Sequence, residues 1–247
     1  MDRLWIYILC YNEELLLPFT LDYYSQFAGR IFVYDNMSTD ASRDICKQYN
    51  NVTVIPFDTK GFVNDKAFLK IKNNAWKAAR NHARYVGVID TDEIIYYKEG
   101  LDVLLDLAFD AGASIVKQSI AYTVYSSKTT EPADDFSLTP TNTSLLCGPS
   151  GGKISLFSPA LRDVNYRPGA HQWKPKGKSL SEYEGGIWFH FSHIFGAKII
   201  AQRYADRIAR LSSENIRHQW GTHYSLKYDD IVEQMQFGRV KLVDILA

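Results

Sequence analysis

The residues best suited to do chemistry form a short acidic cluster, Asp90-Thr91-Asp92-Glu93, directly after the apolar run at residues 85–89. Two carboxylates separated by one residue can both reach one site once the chain leaves a buried strand. Carboxylates suit a hard divalent cation, which would bridge them to the phosphate oxygens of a ligand. A solvated turn with a helix cap is the alternative, but buried strands seldom end in unpaired acidic groups. We therefore interpret the cluster as a metal and phosphate site.

The chain before this cluster alternates between strand and helix patterns. Continuous apolar runs predict strands buried on both faces, at residues 4–10, 31–34, 52–57 and 85–89. Helix patterns separate them, at residues 15–27, 40–49 and 64–84. Such alternation predicts an α/β fold with a mostly parallel sheet, flanked by helices and joined by right-handed crossovers.

Polar residues follow the ends of three of these strands. They are Asn12 and Glu13, Asp35 and Asn36, and Asp90 and Asp92. In open α/β sheets, ligands bind beyond the carboxyl ends of the strands. We therefore expect the three groups to border one binding site.

The pattern changes after residue 100. A helix is predicted at residues 101–108, and short strands at 114–116, 120–125, 154–157 and 187–191. Two long polar loops, 126–144 and 162–186, lie between these strands and are candidates for binding work. Residues 196–247 are predicted to be helical.

The composition excludes several classes of protein. The 247 residues carry 28 basic and 28 acidic side chains, which argues against a nucleic-acid binder that depends on a global basic field. We find no signal-peptide pattern and no apolar run of the ~18 residues needed to span a membrane. Three widely spaced cysteines suit a reducing compartment, so we expect a cytoplasmic protein. Cys10 and Cys46 lie in apolar patterns and are expected in the core.

Three segments resemble the family 2-like glycosyltransferases of the GT-A fold. Leu9-Cys10-Tyr11-Asn12-Glu13-Glu14 is similar to their opening strand followed by Y-N-E. Residues 33–40, Val-Tyr-Asp-Asn-Met-Ser-Thr-Asp, are similar to their V-D-D-G-S-T-D, with Asn36 in place of an acid and Met37 in place of glycine. Asp90-Thr91-Asp92-Glu93 is similar to their D-x-D followed by an acid. The order and spacing agree over residues 3–100.

This resemblance implies a metal-dependent, inverting transfer of a hexosyl or N-acetylhexosaminyl group from a nucleotide-diphosphate sugar, most naturally a UDP-sugar, to an acceptor hydroxyl in glycan biosynthesis. It also implies a catalytic domain over residues 1–195, with a nucleotide-binding half (1–100) and an acceptor-side half (101–195), and a helical segment, 196–247, packed on it. Tyr11, Asn12 and Glu13 would line the base and ribose pocket.

The resemblance also assigns roles to the acids. Asp35 would accept a hydrogen bond from the base, and Asp90, with Thr91, would hold the ribose or assist the metal. Asp92 would coordinate the metal. Cations are candidate helpers for the diphosphate: Lys66 and Lys72, which a solvated helix face also explains, and Lys153.

A late histidine completes the metal shell in related glycosyltransferases, and the strand containing His190 and His193 looks like the one that carries it. A core histidine is the alternative for each. Imidazole with carboxylates favours Mn²⁺ over Mg²⁺. His171 and Trp173 are candidates for the acceptor side, and Trp188 is expected in the core.

The carboxylate that would deprotonate the acceptor is not fixed by the sequence. Glu184 is the first candidate, and Glu182, Asp134 and Asp135 follow it.

The C-terminal segment has an apolar helical face, and its arginines, Arg203, Arg207 and Arg210, share another. This pattern fits peripheral contact with the inner face of a membrane, where lipid-linked glycan acceptors reside, or a helix packed on the sheet. The amphipathic stretch at 231–246 is a candidate homodimer contact.

Three rival functions remain open. One is a haloacid dehalogenase-type phosphotransferase, in which Ile94 would stand where that motif has Thr or Val. The second is a nucleotidyltransferase of a related fold. The third is a non-catalytic nucleotide- or sugar-binding module, and donor turnover would separate it from an enzyme.

Overall fold

The computed structural model describes residues 1–153, 155–236 and 239–246. The chain forms two compact units, each built from separate segments. The first unit comprises Met1–Gly61, Asp65–Ile120 and Gly152–Trp188, and the second comprises Phe62–Asn64, Ala121–Gly151 and Phe189–Ala247. The domain boundary predicted at residue 195 falls inside the second unit.

The elements alternate as predicted in the first half of the chain. The strands are β1 (Asp2–Cys10), β2 (Arg30–Asp35), β3 (Val52–Pro56), β4 (Ala83–Asp90), β5 (Glu93–Tyr96), β6 (Ile115–Lys117), β7 (Ile120–Ser126), β8 (Leu145–Pro149), β9 (Leu156–Phe157), β10 (Glu182–Glu184), β11 (Ile187–His193) and β12 (Val240–Lys241). The α-helices are α1 (Leu17–Tyr24), α2 (Ser42–Cys46), α3 (Asp65–Asn74), α4 (Leu101–Asp110), α5 (Gly196–Ala209), α6 (Ser213–His218), α7 (Tyr228–Gln234) and α8 (Leu242–Leu246). Two 3₁₀ turns lie at Ala75–Ala79 and Thr222–Ser225.

The sheet of the first unit has the strand order β10-β6-β9-β4-β1-β2-β3. Strands β4, β1, β2 and β3 run parallel, and β9 is antiparallel to both β4 and β6. The predicted α/β fold with a mostly parallel sheet is therefore confirmed. Strand β9 covers only part of the strand predicted at 154–157, whose first residue, Ile154, lies outside the described residues.

Strand β1 lies centrally and is covered on both faces. Successive strand residues point to opposite faces. Trp5 and Tyr7 pack with Trp76 and Phe157 on one face, while Leu4, Ile6 and Ile8 are buried on the other. The continuous apolar run of this strand reflects that double burial. Helix α1 carries Pro18 in its first turn, where the missing N–H costs nothing.

The helix predicted at 64–84 is wrong in its extent. Helix α3 ends at Asn74, the next turn is 3₁₀, and β4 already begins at Ala83. Asn81 has a φ of +64°, which an α-helix does not accommodate. The buried side chains of Trp76 and Ala79 anchor the 3₁₀ turn to the core. Helix α2 is also shorter than predicted, although Asp40 does accept a hydrogen bond from the backbone N–H of Ser42, as a capping residue would.

The second unit contains β8, β12 and most of β7 and β11. Strand β8 pairs antiparallel with β7 and with β12. Helix α5 buries Ala197 and Ile200 against Ile231 and Met235 of the α7 region, so the apolar face of this segment packs within its own unit. The prediction of a purely helical segment at 196–247 is wrong at β12, which also interrupts the candidate dimer stretch at 231–246. Residues 237, 238 and 247 of that segment lie outside the described part of the chain.

The arginines of the C-terminal segment are partly engaged. Arg203 lies over the ring of Phe195, and Arg207 over that of Tyr224. Arg210 pairs with Asp206. In the described residues, no helix is long and apolar enough to cross a membrane.

Cys10, Cys46 and Trp188 are buried, which confirms their expected place in the core, and Cys147 is buried as well. Burial raises the pKa of the Cys46 thiol to about 11 and that of Cys147 to about 12.

Candidate functional site

The carboxyl ends of β4, β1 and β2 meet at one edge of the first unit's sheet. Cys10 of β1 lies opposite Asp35 of β2, and Leu9 of β1 lies opposite Asp90 of β4. Neighbouring strands are about 4.8 Å apart, so Asp35 and Asp90 flank the end of β1 at a backbone separation of about 10 Å. The three polar strand ends predicted to border one site do lie side by side.

The loops after β1 and β2 are fastened to each other. The backbone N–H of Asn12 donates to Ser38 Oγ at 2.9 Å, and Asn12 Oδ1 accepts from the N–H of Thr39 at 2.8 Å. The N–H of Glu13 donates to Ser42 Oγ, also at 2.9 Å. Asn12 has a φ of +52°, which asparagine tolerates better than most residues. We call this set of contacts the strand-end clamp. In this structure, Asn12 holds the two loops together, while Glu13 is buried and Tyr11 half-buried beside it.

Asp35 is enclosed by its neighbours, with 2% of its side chain exposed. Both of its carboxylate oxygens lie 3.2 Å from the backbone nitrogen of Ser38, and Arg43 Nε donates to Oδ2 at 2.5 Å. Arg43 also approaches the sulfur of Met37. A nucleobase could reach this carboxylate only after Arg43 or Met37 had moved.

One of the two departures from the family pattern, Asn36, has a local explanation, and the other, Met37, has none. Met37 has a φ of +59°, a conformation that favours glycine. Asn36 donates from Nδ2 to Thr59 Oγ1 at 2.8 Å and accepts from the Thr59 N–H at 2.9 Å. A carboxylate could accept but not donate. Asn36 therefore anchors the segment after β3.

Asp90 lies in a network of four charged side chains that we call the lysine–acid network. Lys72 Nζ lies 2.6 and 2.9 Å from Asp90 Oδ1 and Oδ2. Lys153 Nζ lies 2.9 Å from Asp90 Oδ2 and 2.8 and 2.7 Å from the two oxygens of Glu93. Glu93 Oε2 also accepts the backbone N–H of Asp90 at 3.0 Å. The sequence suggested Asp90 and both lysines as site residues and placed Glu93 in the same acidic cluster as Asp90, but no spacing pattern connected the lysines to these acids.

Solvent reaches this network unevenly. The exposed side-chain fraction is 0% for Lys153, 2% for Glu93, 10% for Lys72 and 32% for Asp90. Burial alone would raise the pKa of the Asp90 carboxyl, but the charges of Lys153 and Lys72 outweigh it and hold that pKa well below its usual range. Burial would likewise lower the pKa of Lys153, but the Asp90 and Glu93 carboxylates raise it. The ion pair of Lys153 is therefore formed by charged groups at neutral pH.

Helix α1 holds the backbone of the acidic cluster in place. Thr20 Oγ1 donates to the carbonyl of Thr91. The hydroxyl of Tyr24 donates to the carbonyl of Glu93 at 3.2 Å and accepts the N–H of Ile95 at 3.0 Å. The side chain of Thr91 is buried, so its candidate role in donor binding stays a prediction.

The residues near Asp92 fit a metal ion that binds together with the donor phosphates better than an ion that the protein holds alone. Among the described residues, no group of three or more His, Cys, Asp or Glu side chains is arranged to hold a metal ion. Two ammonium groups engage the oxygens of Asp90, and the second carboxylate of the D-x-D, Asp92, is half-buried. Mg²⁺-type ions are commonly held by one or two carboxylates together with substrate phosphates. The donor set fits an ion of that kind.

The candidate histidines lie on β11, in the second unit. The ring of His193 packs on Tyr125 with centroids 4.9 Å apart, and its Nδ1 lies 2.7 Å from Ser192 Oγ. The metal roles of His190 and His193 stay predictions. In the first unit, His171 is exposed, with its ring 6.4 Å from that of Trp188.

Trp173 belongs to the core more than to an open surface. Its ring stacks on Tyr166 with centroids 6.2 Å apart and lies 6.1 Å from the ring of Phe157. An acceptor would meet only its exposed part, so its acceptor role also stays a prediction.

The candidate bases lie in different places. Glu182 and Glu184 are exposed on the edge strand β10, three strand spacings or about 14 Å from β4. In the second unit, Asp134 pairs with Lys128, and Asp135 accepts from the N–H and hydroxyl of Ser137. No geometry in the described chain selects one of them.

The two candidate lysines of α3, Lys66 and Lys72, face different directions. Six helical residues correspond to a rotation of about 600°, which leaves Lys66 and Lys72 about 120° apart around the helix. Lys72 turns toward Asp90, while Lys66 is exposed. A small, mostly apolar cavity of about 10 Å³ adjoins Lys72 and includes Tyr7, Tyr34 and Ile71 in its lining.

Comparison with known proteins finds one family. The family model described as Glycosyl transferase family 2 matches residues 5–167, which include the strand-end clamp and the whole lysine–acid network. No curated protein matches the chain.

Several solved structures are distantly similar. Glucosyl-3-phosphoglycerate synthase from Mycobacterium tuberculosis, in complex with Mn²⁺, UDP and glucosyl-3-phosphoglycerate, is 16% identical, with a TM-score of 0.32 over 47% of this chain and 43% of that chain. The match thus spans less than half of the synthase. 4-Diphosphocytidyl-2C-methyl-D-erythritol synthase from Anaerococcus prevotii is 17% identical, with a TM-score of 0.34 over 64% and 70% of the two chains. Mannose-1-phosphate geranyltransferase from Thermus thermophilus is 10% identical, with a TM-score of 0.33 over 95% and 68%. Likeness at this level does not bear on activity.

Proposed function

The chain belongs to glycosyl transferase family 2, and from that premise we propose that it transfers a hexosyl or N-acetylhexosaminyl group from a UDP-sugar to an acceptor hydroxyl. The observation that supports this most is the meeting of three polar strand ends at one sheet edge, inside the region that the family matches. Ligands of open α/β sheets bind at such an edge.

In this proposal, the nucleoside lies against the loops after β1 and β2, near Tyr11, Glu13 and Asp35. The diphosphate then points toward Asp92. A divalent ion, Mn²⁺ or Mg²⁺, would be held by Asp92 and the diphosphate, and when bound it neutralises charge on the leaving group. His190 and His193 lie in the second unit, and their metal roles stay predictions of the family resemblance.

The acceptor oxygen forms a bond to the anomeric carbon as the bond from that carbon to the diphosphate oxygen breaks, so UDP leaves with the bonding electrons. A single displacement inverts the anomeric configuration, through an oxocarbenium-like transition state. The acceptor proton passes to a carboxylate, for which Glu184, Glu182, Asp134 and Asp135 remain the candidates. His171 and Trp173 are proposed to border the acceptor, a glycan or a lipid-linked glycan.

The test is release of UDP from a panel of UDP-sugars with Mn²⁺, with and without glycan acceptors. We expect acceptor-stimulated release by the wild type and strongly reduced release by Asp92→Asn. Pyrophosphate release from UTP and a sugar 1-phosphate would indicate a nucleotidyltransferase instead, and phosphate release from a phosphomonoester would indicate a phosphotransferase. Tight UDP-sugar binding without turnover would favour a binding module.

A further inference from the structure

We propose that Lys72 exchanges partners when the donor binds, leaving Asp90 for the donor diphosphate, while Lys153 stays fixed on Asp90 and Glu93. This inference rests on the proposed function, because it assigns one step of donor binding to one lysine.

The two lysines are unequal in the contacts they make. Lys153 is fully buried and holds two different acids, with Nζ within 2.9 Å of three carboxylate oxygens. Lys72 is ion-paired with Asp90 and is partly exposed, as is that carboxylate. Moving Lys153 would remove the cation that the buried Glu93 carboxylate holds, whereas moving Lys72 leaves Asp90 still paired with Lys153. Only Lys72 can therefore change partners at small cost.

Lys72 lies where it can move toward solvent. Its side chain is partly exposed, and it also borders a small cavity of about 10 Å³ next to the sheet. None of the residues of α3, all of which the structure describes, is buried. A segment with few buried contacts opens more readily than the core. The lysine can thus turn without disturbing the packing of the sheet.

Charge explains why the diphosphate of the donor would attract the ammonium group of Lys72. The D-x-D segment contributes three carboxylates within four residues, Asp90, Asp92 and Glu93, and the two lysines leave one net negative charge. A diphosphate approaching this edge carries more negative charge than the carboxylate that Lys72 already holds. The ammonium group therefore gains more from the phosphate oxygens than it loses by leaving Asp90.

The test compares UDP with uridine, which lacks the diphosphate, by calorimetry with Mn²⁺. We expect Lys72→Met to weaken UDP binding by about tenfold or more and to leave uridine binding unchanged. Lys72→Arg, which keeps the charge, should restore most of the loss. Lys70→Met, on the exposed side of the same helix, is the matched control and should change neither affinity.

A second measurement isolates the exchange itself, with inorganic pyrophosphate and chelator so that neither ribose nor metal takes part. Asp90→Asn removes the competing carboxylate and should tighten pyrophosphate binding several-fold, and Lys72→Met in the same background should abolish that gain. Equal loss of UDP and uridine in Lys72→Met, or unchanged UDP binding, would overturn the inference while the proposed function stands. Absence of UDP binding to the wild type would instead overturn the proposed function, and this inference with it.

Discussion

Lys153 and Glu93 form the buried half of the lysine–acid network, and each is the main compensation for the other's charge. A buried ion pair adds little net stability compared with an apolar pair, but removing one partner leaves a charge in a medium that cannot solvate it. The structural role of Lys153 can therefore be separated experimentally from the ligand-binding role that we propose for Lys72.

Lys153→Met should lower the free energy of unfolding by about 3 kcal/mol or more, because Glu93 is left charged and buried. Urea denaturation followed by circular dichroism measures this change. Lys128→Met, which removes the exposed partner of Asp134, is the control and should shift the midpoint little. Equal midpoints for Lys153→Met and the wild type would show that the ion pair does not hold the cluster.

Sequence patterns identified the acids of the site but not their partners. Asp35 and Asp90 stand at strand ends that an apolar run makes visible. Arg43 became visible only through its contacts in three dimensions. Glu93 belongs to the acidic cluster seen in the sequence, but its partner Lys153 was not evident there, because nothing in their spacing marks the pair. Met37 has a positive φ, and the family pattern has glycine at this position. Only that glycine in the family pattern, and not the methionine itself, indicated a left-handed backbone here.

At the scale of elements, the strand-end clamp joins two loops that carry the candidate nucleoside contacts. Asn12 contributes in two ways: its side chain accepts from Thr39, and its backbone adopts a left-handed conformation. These contributions can be separated by substitution, because glycine keeps the backbone conformation without the side chain.

Asn12→Ala should destabilise the protein by about 2 kcal/mol, since it loses a hydrogen bond and strains a positive φ. Asn12→Gly should cost less, about 1 kcal/mol, because only the hydrogen bond is lost. Thermal and urea unfolding of the three proteins measure the order. If the glycine variant were the less stable of the two, backbone strain would not be what asparagine relieves here.

Strands with a clear apolar run were predictable, and elements without such a pattern were not. The apolar runs gave β1 to β4 within a few residues, because burial on both faces imposes a continuous pattern. Strand β10, Glu182-Tyr183-Glu184, has no such pattern and is defined by pairing with β6. The end of α3 was missed because the tertiary burial of Trp76 outweighs the helix propensity of the residues around it.

At the scale of the whole molecule, buried thiols lie in both units and can be used to follow the unfolding of each. Cys10 and Cys46 lie in the first unit and Cys147 in the second. Burial raises the pKa of each thiol, so little thiolate forms at pH 8. No mutation is needed to use these residues as probes of folding.

Ellman's reagent at pH 8 should react with none of the three thiols in the native protein and with all of them in concentrated guanidinium chloride. The thiol count measured by absorbance against denaturant then shows whether the units unfold together or in sequence. Rapid reaction of any thiol in the native protein would contradict the burial described for that unit.

The central claim is a donor site at the carboxyl edge of the first unit's sheet, and calorimetric titration with UDP tests it most directly. The measurement compares the wild type with Asp92→Asn, each with Mn²⁺ and with chelator, and uses GDP as the competing nucleotide. We predict metal-dependent UDP binding that is tighter than GDP binding and that weakens at least about tenfold in the variant. Preference for GDP would contradict the role given to Asp35, and the absence of any nucleotide binding to the wild type would contradict the donor site itself.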